Sequence, residues 1–209
     1  MKPDLSLYLV TDSTLCGERG VLATVEAAVQ GGVSAVQLRD KHASARELSQ
    51  LALALLEILR DRGVPLLIND RLDVALAVGA DGVHLGQSDI DVEVARIIAG
   101  PDFLIGLSVC QSEEMTEALS LPSKTLDYLG IGPIFTTSTK MDAHLPIGLK
   151  GATELRHSTH LPCIGIGGIN SKNAASAWST GLDGIAVASA ICAANDPKSA
   201  AELLRRSRQ

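Results

Sequence analysis

The stretch DYLGIGPIFTTSTKMDA, residues 127–143, changes character halfway along, and the rest of the chain can be interpreted around that change. Its first five residues are largely apolar and are typical of a buried parallel strand. Gly132 and Pro133 then end the strand, and residues 136–140 (TTSTK) supply four hydroxyl groups and one lysine. A strand that ends in such a loop suits an anionic, phosphorylated ligand, although a Thr/Ser-rich stretch taken alone is more often an ordinary surface loop.

The start of this stretch is echoed three times elsewhere in the chain. SAVQL, DGVHL and DGIAV begin at Ser34, Asp81 and Asp183, so successive starts, with Asp127 included, are 47, 46 and 56 residues apart. This spacing is about twice the length of a strand–helix unit, which indicates eight such units. We therefore predict an α/β fold, a compact (β/α)₈ TIM barrel. An open doubly wound sheet is the alternative, but no GxGxxG motif follows the first strand.

Helical patterns separate the apolar runs that predict strands. Ser44 and Glu47 form a capping box at the start of one helix, and Asp196 or Pro197 begins the last. The predicted strands span residues 7–10, 33–38, 64–68, 82–85, 103–107, 128–131, 163–166 and 184–187.

The composition narrows the class of protein. With 209 residues, 46% of them hydrophobic, the chain can bury a full core, and we predict one domain over residues 1–209. Aromatic residues make up only 2%, so the core is aliphatic, which favours parallel strands packed on helices. A net charge of −6 argues against a nucleic-acid or anionic-membrane partner, and anionic substrates would then need local cations or a metal ion.

The four cysteines show neither a CxxC pair nor metal-ligand spacing. We interpret them as reduced thiols of a cytoplasmic protein. The first ten residues, MKPDLSLYLV, lack the long apolar region of a secretory signal, and no apolar run is long enough to span a bilayer.

Cationic residues follow the second predicted strand. Gln37, Arg39 and Lys41 alternate along the chain, so they share one side if the backbone stays extended. Arg39 could bind two phosphate oxygens at once, and Lys41 could act as a point charge. Taken alone, the RDK sequence is more often a solvated loop than a site.

Two aspartates end neighbouring strands. Asp70 follows the third predicted strand, beside Asn69, and Asp89 follows the fourth. Adjacent carboxylates repel each other unless a proton or cation lies between them, and Mg²⁺ completed by substrate phosphates and water suits such a pair. Each aspartate also precedes a helix and could be its N-cap residue.

The remaining strand ends carry small or flexible groups. Ser108 ends the fifth strand, but no base is visible that would make it a nucleophile. His84 lies inside an apolar strand, where a satisfied core histidine is the usual interpretation, and its position close to the GQSD segment leaves open a contact with the substrate or with a substrate-binding residue. Residues 165–168 (GIGG) end the seventh strand, and Ala188 and Ser189 the eighth; barrels often hold phosphate at these two loops, although glycines also serve tight turns.

The barrel face thus offers two anion sites, one with a metal and cations and one built from glycine-rich backbone. The first suits a diphosphate that departs as a leaving group, and the second a phosphorylated acceptor. Taken in order, YLVTD, QLRDK, ND, DGVHLGQSD, GLS, DYLGIGPIFTTSTK, GIGGI and DGIAVASAI resemble the thiamine-phosphate synthase family over residues 7–191. The resemblance implies a transferase of thiamine biosynthesis that joins a hydroxymethylpyrimidine diphosphate to a thiazole phosphate and releases pyrophosphate.

The resemblance also implies residue roles. The pyrimidine diphosphate would contact Gln37, Leu38, Arg39, Asp40, Lys41, Asn69, Ser108 and Lys140, of which Arg39, Ser108 and Lys140 would assist catalysis. The thiazole phosphate would contact Thr137, Ser138, Thr139, Gly168, Ala188 and Ser189. Mg²⁺ would be the cofactor, bound by Asp70 and Asp89, and diphosphate would leave before the thiazole nitrogen attacks.

Three other functions are compatible with a phosphate-binding barrel. A thiazole tautomerase-like relative would lack the metal and cation set, which is present here. A phosphosugar isomerase or aldolase would need a general base or a Schiff-base lysine in a strand, and neither is visible. A catalytically silent phosphate-binding regulator stays open, since site residues alone do not prove turnover. The sequence leaves the oligomeric state open, a homo-oligomer included.

Overall fold

Eight parallel strands close into a barrel in the computed structural model, which describes residues 3–137 and 145–208. Neighbours in sequence are neighbours in the sheet, and the last strand pairs with the first. The predicted TIM barrel is confirmed. The strands are β1 (Leu7–Val10), β2 (Ala35–Leu38), β3 (Leu66–Asn69), β4 (Gly82–Leu85), β5 (Leu104–Val109), β6 (Tyr128–Ile131), β7 (Cys163–Gly165) and β8 (Gly184–Val187).

Helices surround the barrel, and the local signals in the sequence locate several of their ends. The capping box of Ser44 and Glu47 is present, and Asp196 caps the last helix, with Pro197 as its first residue. Two four-residue helices, too short for a periodic pattern, were not predicted. The helices are α1 (Ser13–Cys16), α2 (Gly20–Gln30), α3 (Ala45–Arg60), α4 (Leu72–Val78), α5 (Val92–Ala99), α6 (Ser112–Ser120), α7 (Gly148–His157), α8 (Ala174–Trp178), α9 (Ser189–Cys192) and α10 (Pro197–Arg206).

Alternation along each strand divides the buried residues into two layers. Leu9 belongs to a large aliphatic layer between the sheet and the helices, whereas its neighbour Tyr8 points into the barrel. The inner layer is small and includes Tyr8, Val10, Ala35, Leu67, Tyr128, Ile164 and Ala186. No helix within residues 3–137 and 145–208 is long and apolar enough to cross a membrane.

The four echoed segments have a common structural role at the amino-terminal end of the barrel. The first residue of each segment directly precedes an even-numbered strand. It makes two hydrogen bonds with one residue of the strand before it. Its backbone N–H donates to the carbonyl of that residue, and its side-chain oxygen accepts from the N–H of the same residue. We call these pairs the strand clamps. They are Ser34–Leu7, Asp81–Leu66, Asp127–Ile105 and Asp183–Cys163, with side-chain distances of 3.0, 2.8, 2.8 and 2.8 Å.

Candidate functional site

A cavity of about 500 Å³ opens at the carboxyl ends of the strands. It draws lining residues from all eight strands or the loops that follow them, as the barrel geometry requires. Most of the residues predicted from sequence line it: Gln37, Arg39, Lys41, Asn69, Asp70, Asp89, Ser108, Thr137, Gly168, Ala188 and Ser189. Ser138, Thr139 and Lys140 lie outside the described residues.

A second cavity, of about 710 Å³, lies at the opposite end, where β1 begins and α10 ends. It is larger, but it is lined by none of the predicted site residues. Size alone therefore does not identify the functional cavity, and the chemistry of the lining does.

Two predicted residues, one at the end of β2 and one in the loop that follows, do not line the cavity at the carboxyl ends. The side chain of Leu38 is buried in the outer aliphatic layer. The Asp40 carboxylate accepts hydrogen bonds from the Ser13 hydroxyl (2.7 Å) and from the N–H groups of His42 (3.0 Å) and Ala43 (3.1 Å). Alternation thus separates the odd positions, which line the cavity, from the even positions, which hold the loop.

The backbone of Arg39 is hydrogen-bonded to the protein, and its guanidinium has no acidic partner among the described residues. Its N–H donates to the Thr11 hydroxyl at 3.0 Å. Its guanidinium makes no ion pair with any acidic side chain of the described residues. It can therefore bind the oxygens of an anionic ligand without breaking an internal pair.

Asp70 and Asp89 line the same cavity, and neither is the N-cap residue of the helix that follows. The N-cap residue of α4 is Arg71, and that of α5 is Asp91, which accepts from Glu93 N and Val94 N. One oxygen of Asp89 accepts from the Gly86 N–H at 2.6 Å, which fixes the carboxylate at the end of β4. The helix-cap interpretation is therefore wrong for both residues.

The donor set fits Mg²⁺. Two carboxylates from adjacent strands face one cavity, and the described residues contain no group of three His, Cys, Asp or Glu side chains that could hold a metal alone. Mg²⁺ is commonly held by one or two carboxylates, with water and substrate phosphates completing its shell. Asp70 also has a φ of 61°, a left-handed conformation that costs a non-glycine residue about 1–3 kcal/mol and is often found at functional sites.

A chain of hydrogen bonds crosses the floor of the cavity. The Gln37 amide nitrogen lies 3.1 Å from the Tyr8 hydroxyl, which lies 2.9 Å from the Tyr128 hydroxyl. His84 lies between Tyr128 (2.9 Å from Nδ1) and Ser108 (2.9 Å from Nε2). The chain thus connects two predicted substrate contacts, Gln37 and Ser108, through three side chains that were not assigned roles from the sequence.

Two glycines make room for this chain. The strand register sets Gly106 of β5 between His84 of β4 and Tyr128 of β6. A Cβ atom at Gly106 would overlap the Tyr128 ring, and one at Gly130 would lie 2.9 Å from His84 Cε1. The signal in the sequence was that a chain with only two tyrosines has both of them in strands, one in β1 and one in β6.

Burial keeps both tyrosines protonated. It raises the pKa of Tyr8 to about 12, although the hydrogen bonds with Tyr128 and Gln37 act to lower it, and it raises the pKa of Tyr128 well above its ordinary value. Both side chains therefore carry an O–H donor at neutral pH.

The glycine loop after β7 has a structural requirement as well as a place at the cavity. Gly167 and Gly168 have φ values of 99° and 65°, and a Cβ atom at Gly168 would lie 2.5 Å from the Thr136 carbonyl. The Gly168 carbonyl accepts from the side-chain amide of Asn173 at 2.9 Å, whereas its N–H donates to no acceptor within the described residues. The tight-turn role of the GIGG motif is therefore confirmed, and phosphate binding at this loop stays a prediction.

Comparison with known proteins connects this geometry to a family. A family model described as thiamine monophosphate synthase matches residues 7–191. The chain is 54% identical to a thiamine-phosphate synthase of Azorhizobium caulinodans over 97% of this chain and 94% of the relative, and 50% identical to one of Chloroflexus aurantiacus over 97% and 92%. The solved thiamine phosphate pyrophosphorylase from Pyrococcus furiosus superposes with a TM-score of 0.88 at 41% identity, covering 99% of this chain and 96% of that one. A 3-hexulose-6-phosphate synthase from Salmonella typhimurium shares the fold alone, with a TM-score of 0.73 at 18% identity.

Proposed function

Because this chain belongs to the thiamine monophosphate synthase family and is a transferase of thiamine biosynthesis, we propose the reaction that it performs. It joins 4-amino-2-methyl-5-hydroxymethylpyrimidine diphosphate to 4-methyl-5-(2-phosphoethyl)thiazole, or to its 2-carboxylate. The products are thiamine phosphate and pyrophosphate, and carbon dioxide is a third product when the acceptor is the 2-carboxylate.

One observation carries the proposal. A single cavity is lined by a carboxylate pair and two cations on the β2–β4 side and by glycine and hydroxyl groups on the β6–β8 side. The first set suits a diphosphate with a divalent cation, and the second suits a monophosphate held by backbone and hydroxyl donors. Two differently built anion sites in one cavity are what a reaction between two phosphorylated substrates requires.

The residues that hold the pyrimidine diphosphate are Gln37, Arg39, Lys41, Asn69, Ser108 and Lys140. Asp70 and Asp89 hold Mg²⁺, which supplies charge neutralisation for the departing diphosphate when bound. The side chains of Leu38 and Asp40 are excluded from direct contact by their positions in the outer layer and in the loop. The residues that hold the thiazole phosphate are Thr137, Ser138, Thr139, Gly168, Ala188 and Ser189.

The proposed displacement is dissociative. The bond between the pyrimidine methylene carbon and the diphosphate oxygen breaks first, and its electron pair leaves with pyrophosphate. The thiazole nitrogen then supplies the pair that forms the new C–N bond. No protein nucleophile is needed, so the protein positions the two substrates and stabilises the charge that develops on the leaving group.

The rival functions are less well supported. A tautomerase-like relative has no need of Arg39, Lys41, Asp70 and Asp89 in one cavity. A Schiff-base aldolase needs a lysine in the barrel, and among the described residues the only cavity-lining lysine is Lys41, in a loop. An isomerase needs a general base, and the cavity-lining histidine of β4, His84, has hydrogen-bond partners at both ring nitrogens. We further propose a cytoplasmic location, in which the four free cysteines stay reduced.

The test is pyrophosphate release by purified protein given both substrates, with and without Mg²⁺. We expect release only when both substrates and the metal ion are present. Release with the pyrimidine diphosphate alone, at the same rate, would indicate a hydrolase. Absence of release, with thiazole phosphate binding retained in calorimetry, would support the silent regulator instead.

A further inference from the structure

We infer that Tyr128 is a positioning residue that acts through His84 to orient the hydroxyl of Ser108. Tyr128 holds His84 in the tautomer with its proton on Nε2, and the Nε2–H group then occupies a lone pair of the Ser108 oxygen. The Ser108 proton is left to point into the cavity, toward an anionic oxygen of the ligand. The identity of that ligand rests on the proposed function. The direction of the hydrogen bonds is independent of it.

The direction of the chain is set at Gln37. Its amide nitrogen can only donate, so Tyr8 accepts this bond with its oxygen. Tyr8 has one proton of its own, and within the described residues the other partner of its hydroxyl is the oxygen of Tyr128, at 2.9 Å. Tyr8 therefore donates to Tyr128.

The next two bonds follow from this one. Tyr128 accepts from Tyr8, so its single proton goes to its other partner, Nδ1 of His84. A neutral imidazole that accepts at Nδ1 carries its proton on Nε2, and Nε2 lies 2.9 Å from the Ser108 oxygen. His84 therefore donates to Ser108.

Ser108 is where the chain reaches the ligand. Its hydroxyl lines the cavity and has no acceptor for its own proton among the described residues. A hydroxyl whose lone pair is already occupied and whose proton points into the cavity can stabilise negative charge there without reorienting during the reaction.

The packing prevents the rings from turning out of these positions. The Tyr8 and Tyr128 rings meet edge to face, with centroids 6.1 Å apart, and the His84 and Tyr128 rings lie 5.5 Å apart at 31°. Both tyrosines are almost fully buried. Gly106, set between His84 and Tyr128 in the sheet, is the position that lets these two rings meet.

The tautomer is the direct test. Side-chain ¹H–¹⁵N spectra of the free, ¹⁵N-labelled protein distinguish Nε2–H from Nδ1–H histidine, and the His84→Asn variant identifies the signal of His84 among the five histidines. We expect Nε2–H in the wild type. In Tyr128→Phe, Nδ1 loses its donor, so its signal should move and the Nδ1–H form should become populated. Tyr8→Phe removes the same group from the same buried layer and with it the bond that Tyr128 accepts, but the Tyr128 proton still has the imidazole Nδ1 as its acceptor, so the Nε2–H form should stay the main one.

Steady-state kinetics test whether the orientation of the Ser108 hydroxyl affects the reaction of the bound substrate. Tyr128→Phe should lower kcat for pyrophosphate release about tenfold, since the loss of one oriented donor to a charged group is of that size. The KM for the thiazole phosphate should be unchanged. Ser108→Ala should cause a loss that does not add to that of Tyr128→Phe, because both changes remove the same donor.

Three results would overturn the inference. An Nδ1–H tautomer in the wild type would mean that the chain runs in the opposite direction. An unchanged His84 signal in Tyr128→Phe, or equal changes in Tyr8→Phe and Tyr128→Phe, would remove the special role of Tyr128. Additive losses in the Ser108 and Tyr128 double variant would do the same. If the wild type releases no pyrophosphate, the proposed function fails, and the tautomer measurement still decides the direction of the chain.

Discussion

The two ends of the barrel use the same residue types for different purposes. At the amino-terminal end, the carboxylates of Asp81, Asp127 and Asp183 accept from backbone N–H groups of neighbouring strands, and two of them also pair with arginines. At the carboxyl end, Asp70 and Asp89 line an open cavity. A charged group contributes to stability where its partner is the chain, and to function where the partner is a ligand.

Arginines show the same contrast. Arg96 lies 2.6 Å from the Asp127 carboxylate and also donates to the carbonyls of Gly100 and Phe103, so its guanidinium is used within the protein. The guanidinium of Arg39 has no acidic partner among the described residues. Substitutions at the two ends should therefore separate stability from activity.

The largest effect is expected at the carboxylate pair. Asp70→Ala or Asp89→Ala should lower the rate of pyrophosphate release by about 100-fold or more at limiting Mg²⁺, because a metal ligand is lost. Both variants should stay folded, and Asp89→Ala should melt somewhat lower than the wild type because it removes the acceptor of the Gly86 N–H. Activity and thermal unfolding, measured on the same samples, check both statements.

Asp91→Ala is the matched control, two residues from Asp89. It removes the N-cap of α5 and should cost about 1 kcal/mol of stability while the rate is kept. Unchanged turnover of Asp70→Ala at limiting Mg²⁺ would show that Asp70 does not bind the metal ion. The carboxylates at the two ends of the barrel would then not differ in function.

The next effect is expected at the strand clamps. Asp127→Ala should lower the free energy of unfolding by about 3 kcal/mol, because the N–H of Ile105 and the guanidinium of Arg96 both lose their acceptor in a partly buried site. Well below the melting temperature, kcat should stay within about twofold of the wild type, since clamp and cavity lie at opposite ends. Urea unfolding and steady-state kinetics give the two quantities.

Asp81→Ala sharpens this comparison. Asp81 has the same bond to a strand N–H but no arginine partner among the described residues, so about 1–2 kcal/mol is expected. Two results for Asp127→Ala would contradict the division of stability and activity between the two ends. One is full stability, and the other is loss of activity while the protein is folded.

A smaller, selective effect is expected within the cavity. Thr137→Val should raise the KM for the thiazole phosphate about tenfold with little change in kcat, because it removes a donor to a phosphate that is bound in the ground state. Thr116→Val, on the outside of α6, is the control and should leave both constants unchanged. A rise in the KM of the pyrimidine diphosphate instead would reverse the assignment of the two anion sites.

The smallest expected effect is a change in the pH dependence of stability, and it concerns Tyr8 in the inner layer of the barrel. The folded-state pKa of Tyr8 is raised to about 12, above the ordinary value near 10, so as the pH rises the unfolded state loses its proton first. The contribution of Tyr8 to stability is therefore complete below about pH 10 and is lost between about pH 10 and 12, with about 1 kcal/mol gone at pH 11.

Tyr8→Phe lacks this titration, so its unfolding free energy should fall less than that of the wild type between pH 8 and pH 11. Urea unfolding at the two pH values measures the difference. Equal pH dependence in the two proteins would show that the hydroxyl of Tyr8 is not held in its neutral form by burial.

Local patterns predicted much of the fold and the general position of the site. The capping box at Ser44 and Glu47 and the Asp196–Pro197 start of α10 depend on residues three or fewer positions apart, and both are confirmed. The start of β2 was predicted at residue 33, whereas the strand begins at Ala35, because Ser34 is used as a clamp. The echoed segments were recognised as a period, but the bonds that explain them join different strands.

The candidate site shows the same division. Alternation correctly grouped Gln37, Arg39 and Lys41 on one side, since it depends only on neighbours in an extended chain. The helix-cap alternative for Asp70 and Asp89 could not be dismissed from sequence, because the cap residue depends on where each helix begins.

The sequence by itself determined the repeat of strand and helix, the inward and outward alternation, and the chemistry available at each strand end, because all three depend on residues close together in the chain. Only the tertiary structure decided which groups meet. Tyr8 and Tyr128 are 120 positions apart, and their hydroxyls lie 2.9 Å from each other because the barrel closes and Gly106 has no side chain where the Tyr128 ring lies. A hydrogen-bond partner is chosen by distance in space, and distance in space follows from closure of the whole sheet.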